Sequence, residues 1–393
     1  MAETFRILTL NSISALGLKR FPAKRYAVGA QIADPDAVLV RSFDMHRMEI
    51  PRKVKAIARA GAGTNNIPVS EMSHRGVPVF NAPGANANAV KELVIAAMLI
   101  AARNIVPALE FVESLEGDDA ALGKSVEAGK KQFVGTELPR HTLGIIGLGK
   151  IGSLVADAAI KLGMSVLGYD PHITVDAAWS LPSQVRKAHS IEEVLKGGDY
   201  VTLHVPLVDL TRNMISAERL KVMKHGAILL NFARDGLVDD AAVVEALSAR
   251  RLRYYMCDFP AQRLQQHPQV VALPHLGAST REAEDNCAIM VVDQMRNFLE
   301  QGNIANAVNF PDVVMERESP DRVAIANANV PNMVGQISTA MARAGLNIHN
   351  MLNKSKGEMA YTLVDVDSGV PDRLLAELAQ IEGVLSVRYL PQE

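Results

Sequence analysis

Residues 142–171, TLGIIGLGKIGSLVADAAIKLGMSVLGYDP, constrain the fold more tightly than any other stretch of the chain. Gly147, Gly149 and Gly152 spell G-x-G-x-x-G, a triplet that on its own occurs in many unrelated turns. The context narrows it. An apolar strand pattern leads in, and Ile151, Leu154, Val155, Ala158, Ala159 and Leu162 follow at the 3, 4, 7, 8 spacing of one buried helix face. In such a unit Gly147 permits the tight turn, Gly149 lets the backbone approach a pyrophosphate, and Gly152 lets helix and strand pack closely. The helix N-terminus offers unpaired N–H groups and the positive end of its dipole to the anion. Asp170 stands at the end of the next strand, eighteen residues past Gly152. A carboxylate there accepts hydrogen bonds from the ribose of NAD and repels the extra phosphate of NADP. No Lys-Ser/Thr follows the third glycine, so a kinase-type glycine loop or a P-loop fits worse. The stretch predicts an NAD site.

Around it, strand-like and helix-like runs alternate, which favours α/β layers on parallel sheets. FRILTL, AVLVRS, VKAIARA and VPVFNA come first, then a long apolar helix over 88–115 and a polar surface connection, EGDDAALGKSVEAGKKQF. YVTLHV, AILLNF, YYMCDF and VVALP follow the glycine unit. From about Asp321 the order becomes strand, helix, strand, strand, helix, strand, with NFPDVVMERESP as the linker. The fold class expected is α/β: two doubly wound parallel-sheet lobes, Rossmann- or flavodoxin-like, plus a C-terminal ferredoxin-like βαββαβ domain. Three domains suit 393 residues.

Composition bounds the partners. With 48% hydrophobic residues the chain can fill its cores, and 41 basic against 43 acidic residues argue against a nucleic-acid or anionic-membrane surface. The longest uncharged apolar run, Leu93 to Ala102, is too short for a bilayer, and MAETFRILTLN reads as a strand rather than a signal. Cys257 and Cys287 form no C-x-x-C pair. The expectation is a soluble cytoplasmic protein with buried free thiols, a small-molecule substrate and no metal.

A nicotinamide enzyme that oxidises an alcohol needs a base for the hydroxyl proton and a cation for the neighbouring anion. LLNFARDGLVDD puts Arg234 just beyond a strand, with Asp239 or Asp240 capping the next helix. VALPHLGASTREAE puts His275 after another strand, and Ser279-x-x-Glu282 reads as a capping box. Carboxyl ends of strands line the ligand crevice of open α/β sheets, so both residues are well placed. Taken alone, His275 reads more readily as a structural histidine than a catalytic one, and an Arg after a strand as a surface charge.

Together, IIGLGKIG, the Asp after LGY, NFARDGLVD and PHLGAST resemble the D-isomer-specific 2-hydroxyacid dehydrogenase family. VRSFDM, ARAGAGTNNI and FNAPGANANAVKEL are similar to members that oxidise D-3-phosphoglycerate to 3-phosphohydroxypyruvate, the first step of serine biosynthesis. The resemblance implies that His275 is the general acid/base and that Arg234 grips the substrate carboxylate. It implies pyrophosphate contacts from Lys150 and Ile151, the ribose on Asp170, and the nicotinamide carboxamide on Asp258. Phe232, Ala233, Gly277 and Ala278 complete the implied cofactor surface. Arg41, Arg59 and Asn86 sit at substrate-side positions, the two arginines facing the phosphate.

The implied domains are a discontinuous substrate-binding domain, 1–88 with 276–310, an NAD-binding domain, 89–275, and a regulatory domain, 320–393. This last block resembles an ACT domain, in which Asn329 and Asn347 match positions that hold an amino-acid effector, here L-serine; a purely structural dimerisation module is the other reading. Asn332 replaces its more usual loop glycine. The family implies a homodimer or homotetramer. One departure stands out: DFPAQRLQQHP lacks the Glu that normally pairs with the catalytic His, and Asp258 is the nearest substitute. Two alternatives remain at this level, a glyoxylate or hydroxypyruvate reductase and a non-catalytic NAD sensor of the same fold.

Overall fold

The computed structural model describes residues 4–392, apart from residue 266 and the side chain of residue 176. The chain divides into two compact units, Met1–Asn86 with Arg281–Glu393, and Ala87–Thr280.

In the first unit, β1 (Phe5–Leu10), β2 (Tyr26–Gly29), β3 (Ala37–Val40), β4 (Ala56–Arg59) and β5 (Val79–Phe80) form a parallel sheet in the order β2-β1-β3-β4-β5. Every residue of β3 is buried, as expected when both faces of a parallel sheet are covered. The four-residue β2 carries too short an apolar run to be read from sequence. It docks because the Tyr26 ring packs on Phe5 and Phe21.

The second unit holds seven parallel strands: β6 (Thr142–Ile146), β7 (Ser165–Tyr169), β8 (Arg186–Lys187), β9 (Tyr200–Leu203), β10 (Ala227–Asn231), β11 (Leu252–Cys257) and β12 (Val270–Ala272). Their order, β12-β11-β10-β9-β6-β7-β8, reverses direction between β6 and β9, the switch point of a doubly wound sheet.

The structure corrects two readings here. The helix expected over 88–115 is two helices, Ala87–Ala102 and Ile105–Glu113, bent by 63°. Asn104 makes the corner at φ 53°, a left-handed value that Asn tolerates. Its amide donates to the Phe133 and Val134 carbonyls and accepts from Arg253 and Tyr254. The supposed surface connection contains the helix Asp119–Gly129, capped where Asp118 accepts from the Ala121 N–H at 2.9 Å. Its Gly129 lies against the Phe111 ring, where a Cβ would sit 2.3 Å from Cζ. No single described helix is long and apolar enough to cross a membrane.

β13 (Asp321–Ala328), β14 (Ile348–Lys356), β15 (Met359–Val366) and β16 (Val384–Pro391) form an antiparallel sheet, ordered β14-β15-β13-β16, within the first unit. With the helices Met333–Arg343 and Asp372–Ala379 this is the ferredoxin-like βαββαβ arrangement. Val323, Ile325, Val364 and Val366 pack beneath the helices with Ile337 and Leu374. The opposite face, through Ala324, Ala326, Tyr361 and Leu363, shares a core with Phe80, Phe298 and Phe310.

The segment read as a linker is therefore not free: Phe310 and Val313 are fully buried. Arg322 explains why. Its Nε and Nη2 hold both oxygens of Asp365, and its remaining N–H groups reach the carbonyls of Gln301, Met315 and Glu316. Arg322 and Asp365 are both 0% exposed.

Candidate active site

Across the second unit's sheet, the candidate residues stand at the C-terminal ends of five strands. His275 follows β12, Asp258 β11, Arg234 β10, Gly147 β6 and Asp170 β7.

Gly147 has φ 94°, and a Cβ there would lie 2.4 Å from the His204 carbonyl oxygen. A Cβ on Gly152 would lie 2.0 Å from the Gly147 carbonyl oxygen. A Cβ on Gly149 would meet no protein atom within 4 Å. Turn and close packing thus require the outer two glycines, while the middle one leaves open space at the start of the helix Lys150–Lys161. No side chain caps that helix, so the Lys150 and Ile151 N–H groups are among its free first-turn donors. These features fit a dinucleotide pyrophosphate.

The same constraint turns the helix. Its buried residues are Gly152, Val155, Ala156 and Ala159, while Leu154 and Leu162 are exposed, contrary to the face expected from sequence. Gly152 must face the turn, and the other positions follow from it.

A pair of substitutions separates these roles. Gly152→Ala forces a backbone clash and is expected to destabilise the protein by about 1–3 kcal/mol. Gly149→Ala is expected to leave thermal stability near wild type yet weaken NADH binding about tenfold or more. Equal NADH affinity in a folded Gly149→Ala protein would contradict the assignment.

Asp170 accepts from the Leu148 N–H and the His172 N–H, each at 2.9 Å, so it also ties down the glycine turn. Arg234 is exposed at the end of a turn that the 2% exposed Asn231 organises. The Asn231 amide donates to the Arg234 carbonyl and accepts from the Ala233 N–H, with Phe232 and Ala233 buried beside it. Asp239, rather than Asp240, caps the following helix.

His275 adopts φ 58° and packs its ring edge-on to Phe259, 5.1 Å between centroids. Asp258 is 1% exposed and holds the next two residues, accepting from the Leu276 and Gly277 N–H groups at 2.7 Å each. Its carboxylate therefore anchors the His275 loop through the backbone. Among the described residues it makes no ion pair with the ring, so the structure does not supply Asp258 as a substitute for the missing Glu. Gly277 is buried against it and Ala278 is partly buried. Ser279 does not cap the helix Arg281–Gln301, which starts two residues later; its hydroxyl points to the His275 carbonyl.

Sequence reading missed Asn231 and His204. His204 follows β9 beside the glycine turn, its Nε2 3.1 Å from Thr202 Oγ1 and its Nδ1 buried with no hydrogen-bond partner among the described residues. Burial lowers its pKa to about 3, so the ring is neutral. The signal available was a polar residue ending an otherwise apolar strand. Cys257 and Cys287 are free and buried, and burial pushes the Cys257 thiol up to about 11.

In the first unit the structure brings Arg41 and Arg59 together. Arg41 follows β3 and Arg59 ends the adjacent β4, and Arg59 Nε donates to the Arg41 carbonyl at 3.0 Å. Gly61 and Gly63 leave room for the Arg59 guanidinium: a Cβ on Gly61 would lie 2.5 Å from Nη1. Asn86 is partly buried at the unit's edge in sequence.

Asn329 and Asn347 are not brought together. Asn329 binds the hairpin turn through the Gly357 and Glu358 carbonyls, and Asn347 pairs with Asp367 at the other end of the ladder. The seven strand steps between them span about 24 Å, beyond the reach of one amino acid. Asn332 takes φ 64°, a left-handed value suited to glycine and open to Asn.

Residues 95–277 match the NAD-binding domain of the D-isomer specific 2-hydroxyacid dehydrogenases. A Haemophilus influenzae D-3-phosphoglycerate dehydrogenase is 32% identical over 355 residues, covering 87% of this chain and 83% of that protein. The chain belongs to that family of NAD-dependent dehydrogenases. A Methanocaldococcus jannaschii D-3-phosphoglycerate dehydrogenase is 38% identical over 296 residues, 73% of this chain; the chain spans 54% of that protein's length. The solved structure of NAD+-bound 3-phosphoglycerate dehydrogenase from Entamoeba histolytica is similar over 78% of this chain and 98% of its own, at 25% identity and a TM-score of 0.59.

Proposed function

We propose that the protein oxidises D-3-phosphoglycerate to 3-phosphohydroxypyruvate with NAD, the first step of serine biosynthesis. The observation that carries this reading is the pairing of Arg41 with Arg59 at adjacent strand ends. A 2-hydroxyacid already has one anion, its carboxylate, for Arg234. Two further arginines call for a second anion, and a phosphate on C3 supplies it. The names of the relatives and of the Entamoeba structure point the same way.

NAD, held by the glycine turn and Asp170, would supply the hydride acceptor for C2, and the substrate hydroxyl must lose a proton as the carbonyl forms. His275 takes that proton, and in the reverse direction returns it. Asp258 fixes the loop and Phe259 the ring, the work a carboxylate partner would otherwise do. Arg234 presents a planar guanidinium that binds the carboxylate and polarises the C2 oxygen. A glyoxylate or hydroxypyruvate reductase would give the adjacent Arg41 and Arg59 no substrate anion to bind, and a non-catalytic NAD sensor would leave His275 and Arg234 without a task.

Arg59→Ala tests the reading. The loss of a charge-assisted hydrogen bond, about 1.5–3 kcal/mol, is expected to cost phosphohydroxypyruvate ten- to a hundredfold more in kcat/KM than hydroxypyruvate. Equal losses for both substrates would place Arg59 outside the phosphate site.

A further inference from the structure

Arg41 already has an anion. Its Nη2 lies 2.6 Å from Oε1 of Glu284, in the first turn of the helix Arg281–Gln301. The pair is partly solvated, with side chains 36% and 41% exposed, so it contributes little to holding the fold. Nor does Arg41 need it for placement: its backbone is fixed by Arg59 and Asn66, whose side chains both donate to its carbonyl. The Cys287 thiol, next along the helix, lies in the field of all three charges; burial raises its pKa, both arginines lower it and Glu284 raises it.

Two guanidiniums meet at this cluster, and the Glu284 carboxylate lies against one of them. A phosphate monoester carries roughly −1.5 to −2 at neutral pH. It reaches Arg41 only by displacing Glu284 or by sharing the cation with it, and the two anions repel each other. We propose that Glu284 is a specificity-determining residue, an internal competitor that holds Arg41 between turnovers and tempers the preference for phosphorylated over unphosphorylated substrate. The inference rests on Arg41 and Arg59 being the phosphate ligands.

The test compares KM for phosphohydroxypyruvate and hydroxypyruvate with NADH in wild type, Glu284→Gln, Arg41→Ala and the double variant. Glutamine keeps the size of the exposed side chain, and a thermal melt checks the fold. Glu284→Gln is expected to shift the ratio of the two KM values about two- to fivefold towards the phosphorylated substrate, and to shift nothing in the Arg41→Ala background. An unchanged ratio, or a shift the other way, would overturn the competitor role while Arg41→Ala still weakened the phosphorylated substrate selectively. If Arg41→Ala and Arg59→Ala both leave the ratio untouched, the phosphate reading fails and this inference falls with it.

Discussion

His275→Gln is expected to lower kcat in both directions by about 10²–10⁴-fold while NADH still binds. Glutamine can fill the space and keep a hydrogen bond, but it cannot take up the hydroxyl proton. The position leaves little room for indirect explanations. His275 is exposed at the end of β12, and its loop is tied down by the Asp258 carboxylate through two backbone N–H groups that the substitution does not touch. Fluorescence titration of NADH alongside steady-state rates separates chemistry from cofactor binding. A kcat near wild type would remove His275 from the proton transfer.

Asp365→Ala is expected to destabilise the first unit by about 3–5 kcal/mol, because it strands the Arg322 guanidinium in a fully buried position. Replacing both residues with apolar ones should recover only part of this. Arg322 also satisfies the carbonyls of Gln301, Met315 and Glu316, and each buried acceptor left without a donor costs about 1–3 kcal/mol. Denaturant unfolding followed by circular dichroism measures both variants. A loss below about 1 kcal/mol in Asp365→Ala would show that water reaches the site.

The strand–glycine–helix unit was legible because each glycine answers a different steric demand: a Cβ would strike backbone at Gly147 and Gly152 and nothing at Gly149. The helix face was misjudged for the same reason. Spacing alone weighs leucines, whereas the backbone contact at Gly152 decides the orientation. The corner at Asn104 escaped notice because its four partners come from residues 133, 134, 253 and 254. Burial of NFPDVVMERESP likewise depends on Arg322 and on a core contributed by distant strands. At the site, motifs name Arg234, His275 and the two arginines as candidates. They do not name Glu284, since its contact with Arg41 spans 243 residues and its local sequence says only that a helix begins. For Asn329 and Asn347 the sequence shows two asparagines, and only strand register puts them at opposite ends of a sheet.

The most direct measurement is a substrate panel. Purified protein with NADH is offered phosphohydroxypyruvate, hydroxypyruvate, glyoxylate and pyruvate, and kcat/KM is compared. The Arg41–Arg59 pair predicts at least about a tenfold preference for phosphohydroxypyruvate over each unphosphorylated 2-oxoacid. A higher kcat/KM on hydroxypyruvate or glyoxylate, or turnover of none of the four, would contradict the account.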